Sequence, residues 1–321
     1  LTFPGSIRIV TDTSAPRPLR IATRASRLAL WQAEHVANLL SSCRPDCGVE
    51  LVHVTTTGDS NQTSELRSFG GQGVFTREVQ RAVLDGRADL AVHSLKDLPT
   101  LPTPGLTLAG VPARAETADA LVLPRESEGI ADLFALPENA RIGTGSLRRQ
   151  AQLRHHRPDL QCSEVRGNVE TRLRKLDEGE YDALVLAAAG LGRLELAPRI
   201  SARLVPPLMF PAVGQGALGI ECREDDSFVR ELLGRISEAD VFASVRAERA
   251  LLAHLRAGCH APVGAHTWFD QGDLQIAGVV LSADGTQRLH AVLGGPNSAA
   301  EDLGRELAEE LLRNGAAALI R

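Results

Sequence analysis

The sequence predicts an α/β protein: two α/β domains followed by a smaller C-terminal α+β domain. Three observations carry that reading. From residue 19, short apolar runs alternate with helical periodicities. A second block with the same alternation starts near Ala120. After Ser237 the pattern changes to a long helix, then strands, then a last helix. The chain has 321 residues, more than one ordinary core accommodates.

Leu19 to Thr23 reads as a short buried strand. Ser26 is placed to cap the next helix, where Ala29, Ala33, Val36 and Leu40 recur at helical spacing. Val49 to Thr56 is β-branched and strand-like. Gly58, Gly70, Gly71 and Gly73 mark residues 58 to 73 as a lid-like loop. Thr76 to Leu84 is helical and stops at Gly86. Leu90 to His93 is another strand, and a proline-rich connection (Pro99, Pro102, Pro104) leads to the strand Leu106 to Val111.

In the second block the expected strands are Ala120 to Leu123, Ile142 to Thr144, Leu160 to Val165 and Ala183 to Leu186. Helices start at Leu147 and at Val169, the latter ending at Gly179. Pro206, Pro207 and Pro211 mark a return connection. The last region holds a helix ending near Leu255, strands Leu274 to Val280 and Leu289 to Leu293, and a helix from Ala299 to Leu312.

Composition narrows the function classes. A net charge of −5 argues against nucleic-acid binding through bulk positive charge, so an anion site must be a local concentration of Arg and Lys. Five cysteines, at 43, 47, 162, 222 and 259, match no disulfide framework and suggest a reducing, cytoplasmic setting. Cys43 and Cys47 lack a second pair at zinc-ligand spacing, so no metal is expected. No apolar stretch is long enough to span a membrane, and the first 18 residues carry no hydrophobic signal region. The chain begins with Leu and its one methionine is Met209, so its natural start is expected to be missing or unusual.

Candidate chemistry gathers at strand-to-helix junctions. Thr144, Gly145 and Ser146 present N–H groups and a helix dipole to an anion, with Arg148 and Arg149 beside them. An ordinary N-cap followed by solvated arginines has the same pattern. Arg166 ends a strand and Arg172 lies one turn into the next helix; Arg24 repeats the placement at the end of the first strand. Taken singly each is a surface charge, but the carboxyl ends of strands are where open α/β sheets bind ligands. Lys96 and Asp97 follow the strand ending at His93, where a carboxylate in a cleft stabilises a cation or moves a proton; a surface ion pair is the alternative. Cys259, in Leu-Arg-Ala-Gly-Cys-His-Ala-Pro-Val-Gly (255 to 264), is placed on a loop that a ligand can reach, or is a small buried hydrophobe.

These motifs, with Ala-Thr-Arg-Ala-Ser-Arg-Leu-Ala-Leu-Trp-Gln (22 to 32), Ala-Asp-Leu-Ala-Val-His-Ser-Leu-Lys-Asp (88 to 97), Gly-Ser-Leu-Arg-Arg-Gln (145 to 150) and Pro-Ala-Val-Gly-Gln-Gly-Ala (211 to 217), resemble the porphobilinogen deaminase (hydroxymethylbilane synthase) family from about residue 19 to the C-terminus. The resemblance implies two domains similar to periplasmic binding proteins plus a C-terminal domain. It sets the expected division at 17–114 with 211–233, then 115–210, then 234–321. It implies one covalent dipyrromethane cofactor on Cys259 through a thioether. Four porphobilinogen molecules are deaminated and condensed onto it, and hydroxymethylbilane is then released by hydrolysis for porphyrin and haem biosynthesis. Asp97 is implied as the group at the pyrrole nitrogens. Ser94, Lys96, Thr144, Ser146, Arg148 and Arg149 match cofactor-binding positions. Arg24, Ser26, Arg166, Arg172 and Arg193 match substrate-binding positions, with Phe75 as a ring-stacking aromatic. The implied protein is a cytoplasmic monomer that binds a small molecule and neither nucleic acid nor membrane.

One departure stands out. Where the family commonly carries lysines in its glycine-rich loop, this chain has Ser68-Phe69-Gly70-Gly71-Gln72-Gly73. Gln72 hydrogen-bonds a carboxylate without supplying charge, and Arg67 is a neighbouring cation. Two competitors are a non-catalytic anion-binding protein of the same fold and a deaminase-like protein impaired by its loop. Neither the first nor its ligand needs Cys259 or Asp97.

Overall fold

The computed structural model describes residues 17–56, 76–127, 132–258 and 261–320. The first lobe opens with β1 (Leu19–Thr23), α1 (Arg27–Cys43), β2 (Val49–His53), α2 (Arg77–Leu84), β3 (Leu90–Ser94) and β4 (Leu106–Gly110). The second holds β5 (Asp119–Val122), β6 (Arg141–Gly143), α3 (Leu147–His156), β7 (Gln161–Ser163), α4 (Val169–Asp177), β8 (Ala183–Ala187), α5 (Ala188–Arg193) and β9 (Ala202–Leu204). There follow β10 (Leu218–Arg223) and α6 (Ser227–Arg235). The last unit comprises α7 (Ala239–His254), β11 (Val263–Asp270), β12 (Asp273–Leu281), β13 (Arg288–Gly295), α8 (Ala300–Arg313) and α9 (Ala316–Leu319).

Three sheets organise these elements. The first runs β2-β1-β3-β10-β4, with β1 parallel to β2 and β3, and β10 antiparallel between β3 and β4. The second runs β7-β6-β8-β5-β9, with β6 parallel to β7 and β8, and β5 antiparallel to β8 and β9. The third is the antiparallel meander β11-β12-β13. The chain thus leaves the first sheet after β4 and comes back to it as β10.

Burial explains why β10 belongs there. Its Leu218, Ile220 and Cys222 pack with Leu90 and Val92 of β3 against Val36 and Leu40 of α1 and Leu232 and Leu233 of α6. The opposite face is covered by Val79, Ala82 and Val83 of α2. Strands buried on both faces read as continuous apolar runs, as 90–92 does. Each fully buried Ile or Leu contributes roughly 1.5–3 kcal/mol.

The two crossings between the lobes lie side by side. Ala115 N donates to Gly216 O at 3.1 Å. Gly216 has φ +83°, and a Cβ on it would lie 2.4 Å from Ala115 O, so the approach requires glycine. The third unit grips both crossings through the buried Glu248 of α7. Its carboxylate accepts from Arg114 at 2.7 and 3.0 Å, from Gly214 N at 2.8 Å and from Thr267 Oγ1 at 2.7 Å.

Several elements depart from the sequence expectation. β7 covers only 161–163, and β2 stops at His53. The strands β9, β10 and β11 and the helices α5 and α6 carry no sequence signal strong enough to place them. β10 follows a proline-rich stretch that reads as connection. In β11, glycine, histidine and threonine break the apolar run.

Candidate functional site

The site begins at the carboxyl ends of β1 and β3. A cleft there is lined by Arg24, Ser26, Gln32, Thr76, His93, Ser94 and Asp97, among others. Ser26 caps α1, its side chain accepting from Ala29 N at 3.4 Å. Ser94 closes β3, and its Oγ accepts from Gln32 Nε2 at 2.7 Å. The strand then tightens into a 3-10 turn, Leu95–Asp97, that presents Lys96 and Asp97. Asp97 is exposed and Lys96 half-buried. Lys96 keeps some open surface yet stands deep among protein atoms. That burial pulls its ammonium down to about 8, against Asp97, with Arg149 adding to the fall.

Beneath the cleft floor, His93 Nε2 lies 3.1 Å from Glu221 Oε2, in ion-pair reach though off the hydrogen-bond line. Gln80 Nε2 donates to the same oxygen at 2.8 Å. His93 is therefore a buried, partnered residue that also borders the cleft.

In the second lobe a wall of polar and cationic residues begins at the N-terminus of α3. Ser146 caps α3, accepting from Arg149 N at 3.5 Å. Thr144 is buried, and its Oγ1 accepts from Ser146 N at 3.4 Å. Arg148 and Arg149 are both buried on Asp119 of β5. Arg148 Nη1 donates to Asp119 Oδ2 at 2.7 Å and to Phe210 O at 2.5 Å. Arg149 Nε donates to Asp119 Oδ1 at 2.9 Å, and its Nη1 to Val185 O at 3.0 Å. Gln215 Nε2 donates to Asp119 Oδ1 at 3.0 Å. Burial alone would raise the Asp119 carboxyl, but Arg148 and then Arg149 hold it well below the usual range. Burial lowers the Arg149 guanidinium against the pull of Asp119.

Arg172 closes the wall. Its Nε donates to Gly167 O at 2.8 Å. Burial lowers its guanidinium, Arg149 lowers it further, and Asp97 opposes both. Lys96, Asp97, Arg149 and Arg172 thus feel one another across the two lobes. Arg166 pairs with Glu164 at 2.9 Å. Arg193 stands apart. Its Nη2 donates to Gly216 O at 2.7 Å, its guanidinium lies 5.6 Å from the Trp31 ring centre, and burial brings it down to about 10.

Gln72, Phe75, Arg67, Ser68 and Cys259 lie outside the described residues. Sequence reasoning missed Asp119, Gln215, Glu221, Glu248 and Arg249. Asp119 had one usable signal: an acidic residue opening the apolar run 118–123. Among the described residues no cluster of three or more His, Cys, Asp or Glu is arranged to hold a metal ion. No described helix is long and apolar enough to cross a membrane.

Asp97 is the exposed carboxylate of the first-lobe cleft, and Arg149 and Arg172 of the second lobe lie within its electrostatic reach. Residues 19–231 match the family model "Porphobilinogen deaminase, dipyromethane cofactor binding domain", and residues 242–313 match "Porphobilinogen deaminase, C-terminal domain". A porphobilinogen deaminase of Syntrophotalea carbinolica is 50% identical over 298 residues, 93% of this chain and 93% of that protein. One from Xanthomonas campestris pv. campestris is 49% identical over 94% of this chain and 98% of that protein. The chain belongs to the porphobilinogen deaminase family. Among solved structures, the periplasmic VFT2 domain of Bordetella pertussis BvgS is 15% identical with a TM-score of 0.42, covering 72% of this chain and 92% of that domain. Likeness at that level has no functional implication.

Proposed function

We propose that this chain condenses porphobilinogen stepwise onto a dipyrromethane held at Cys259, with Asp97 as the catalytic carboxylate. The observation that carries the proposal is the position of Asp97. It lines the cleft just after β3, within electrostatic reach of Lys96, Arg149 and Arg172. The cleft suits the group. A pyrrole chain offers N–H donors along its spine and carboxylates at its edges. The residues present are one carboxylate amid several cations, and the buried Arg148 Nε has no hydrogen-bond partner among the described residues.

When bound, the cofactor supplies the free pyrrole carbon onto which each unit is added. The protein's own residues bind, orient and move protons. Asp97 accepts hydrogen bonds from pyrrole N–H groups and stabilises positive charge on the rings. It is also placed to hand a proton to the departing ammonia and recover one from the new ring. Lys96, Arg24 and Arg172 hold carboxylate side chains, while the N-terminus of α3, with Thr144 and Ser146, adds backbone donors. Arg148 and Arg149, fixed by Asp119, give the wall a rigid positive field. Arg166, Ser26 and Ser94 extend the polar rim, and Gln72, Phe75 and Arg193 take the roles their family positions imply. Each added ring brings further carboxylates, which accounts for a local arginine cluster in an acidic chain.

The division into 17–114 with 211–233, 115–210 and 234–321 has its support in the three separate sheets. A monomer in the cytoplasm is the finer reading; the free state of Cys43, Cys47, Cys162 and Cys222 favours a reducing compartment. The test of function is release of ammonia and of a linear tetrapyrrole from porphobilinogen. Asp97→Asn should keep porphobilinogen binding and lose on the order of 10²–10³ in rate, as removal of one well-placed electrostatic group does. Normal turnover in that variant would transfer the role to another group.

A further inference from the structure

Asp97 stands on a turn whose two sides are held by different parts of the molecule. On the upstream side Ser94 pairs with Leu218, and Leu95 N donates to Ala217 O at 3.1 Å. The downstream side is unusual in composition. Pro99, Pro102 and Pro104 remove N–H donors, and no strand begins until Leu106. Carbonyl groups there have no ladder to join, so their partners must come from elsewhere.

For residues 98–100 one side chain supplies them. Arg249 of α7 donates from Nη1 to Leu98 O at 3.2 Å, and from Nη2 to Pro99 O at 2.7 Å and Thr100 O at 3.4 Å. These are the three residues directly after Asp97. A guanidinium fits the task because its planar fork aims several donors at once, which an ammonium does not. Arg249 is not among the residues that line the cleft. It reaches the turn from behind, from a helix that ends at His254, just ahead of Cys259 in the chain.

We infer that Arg249 is a positioning residue for catalysis: it fixes the turn that carries Asp97, so that the third unit sets where the carboxylate stands. The inference rests on the role of Asp97 proposed above. A displacement of about 1 Å at a reacting group costs on the order of 10²-fold in rate.

The experiment combines Arg249→Ala, Arg249→Lys, Asp97→Asn and the double variant Arg249→Ala/Asp97→Asn in the holoenzyme. Melting temperature and the mass of the adduct report on folding and loading. Arg249→Ala should lower kcat roughly ten- to a hundred-fold, with KM and adduct mass unchanged. Arg249→Lys should recover part of the loss. In the Asp97→Asn background, adding Arg249→Ala should cost no further rate in single turnovers, because the group it positions is already gone. A wild-type kcat in Arg249→Ala, or a loss that persists undiminished in the double variant, would overturn the inference. If Arg249→Ala does not fold, Arg249→Lys decides: a reduced kcat at unchanged KM supports the role, and a wild-type kcat overturns it. Normal turnover in Asp97→Asn alone removes the reading of Asp97, and this inference with it.

Discussion

Lys96 shows how burial sets the chemistry of a single cation in this cleft. Its ammonium falls to about 8, with burial as the largest cause. A lowered lysine is charged below that value and neutral above it. In Cys259→Ser protein, which should carry no cofactor carboxylates, the affinity for a small polycarboxylate should therefore drop as pH rises from 7 to 9. Calorimetric titration across that range checks it, and Lys96→Met should flatten the profile. Asp119 makes the complementary case. It holds two buried arginines, so Asp119→Ala leaves two cations without their carboxylate. Loss of one partner of a buried pair costs about 3–5 kcal/mol, and urea unfolding should report a fall of that order. The strand-end positions of Asp97 and the arginines were legible in the sequence, and the roles proposed for them came from the family resemblance. Asp119 was not, because an aspartate opening an apolar strand looks like a boundary until the fold turns Arg148 and Arg149 onto it.

At the scale of elements, the lobe crossings are tightly constrained. Gly216 and Gly86 share positive φ, +83° and +71°. Of the two, Gly216 meets backbone, with a Cβ position 2.4 Å from Ala115 O, whereas no described residue lies within 4 Å of the Cβ position at Gly86. Gly86→Ala should cost about 1–2 kcal/mol for the left-handed conformation alone. Gly216→Ala should cost clearly more and also disturb turnover, since its carbonyl accepts from Arg193. Chemical denaturation of both variants separates strain from clash. Helices α1, α3, α4, α7 and α8 were legible from period and caps: Ser26, Ser146 and Asn168 each accept from the third residue on. β10 was hidden because its partners β3 and β4 lie far back in the chain, and its place depends on that long-range pairing rather than on local pattern.

At the scale of the whole molecule, the three units meet around the lobe crossings and the Asp97 turn. The first lobe presents Asp97, the second presents the arginine wall, and the third grips both crossings through Glu248 and the Asp97 turn through Arg249. On the exposed side the described contacts between the lobes include the polar pair Arg27 with Glu170 at 3.4 Å. Interfaces of that kind permit relative motion of the lobes, which a chain growing by one ring at a time requires. Most of the strands and helices were readable from periodicity, but β9, β10, β11, α5 and α6 were not. The return of the chain to its first sheet was readable only through the prolines at 206, 207 and 211 together with the family resemblance. The most direct test of the account is the denatured intact mass of the purified protein beside Cys259→Ser. The wild-type chain should exceed its sequence mass by one dipyrromethane unit, and Cys259→Ser should match its sequence mass. An adduct that survives in Cys259→Ser, or an active wild-type chain with no added mass, would contradict it.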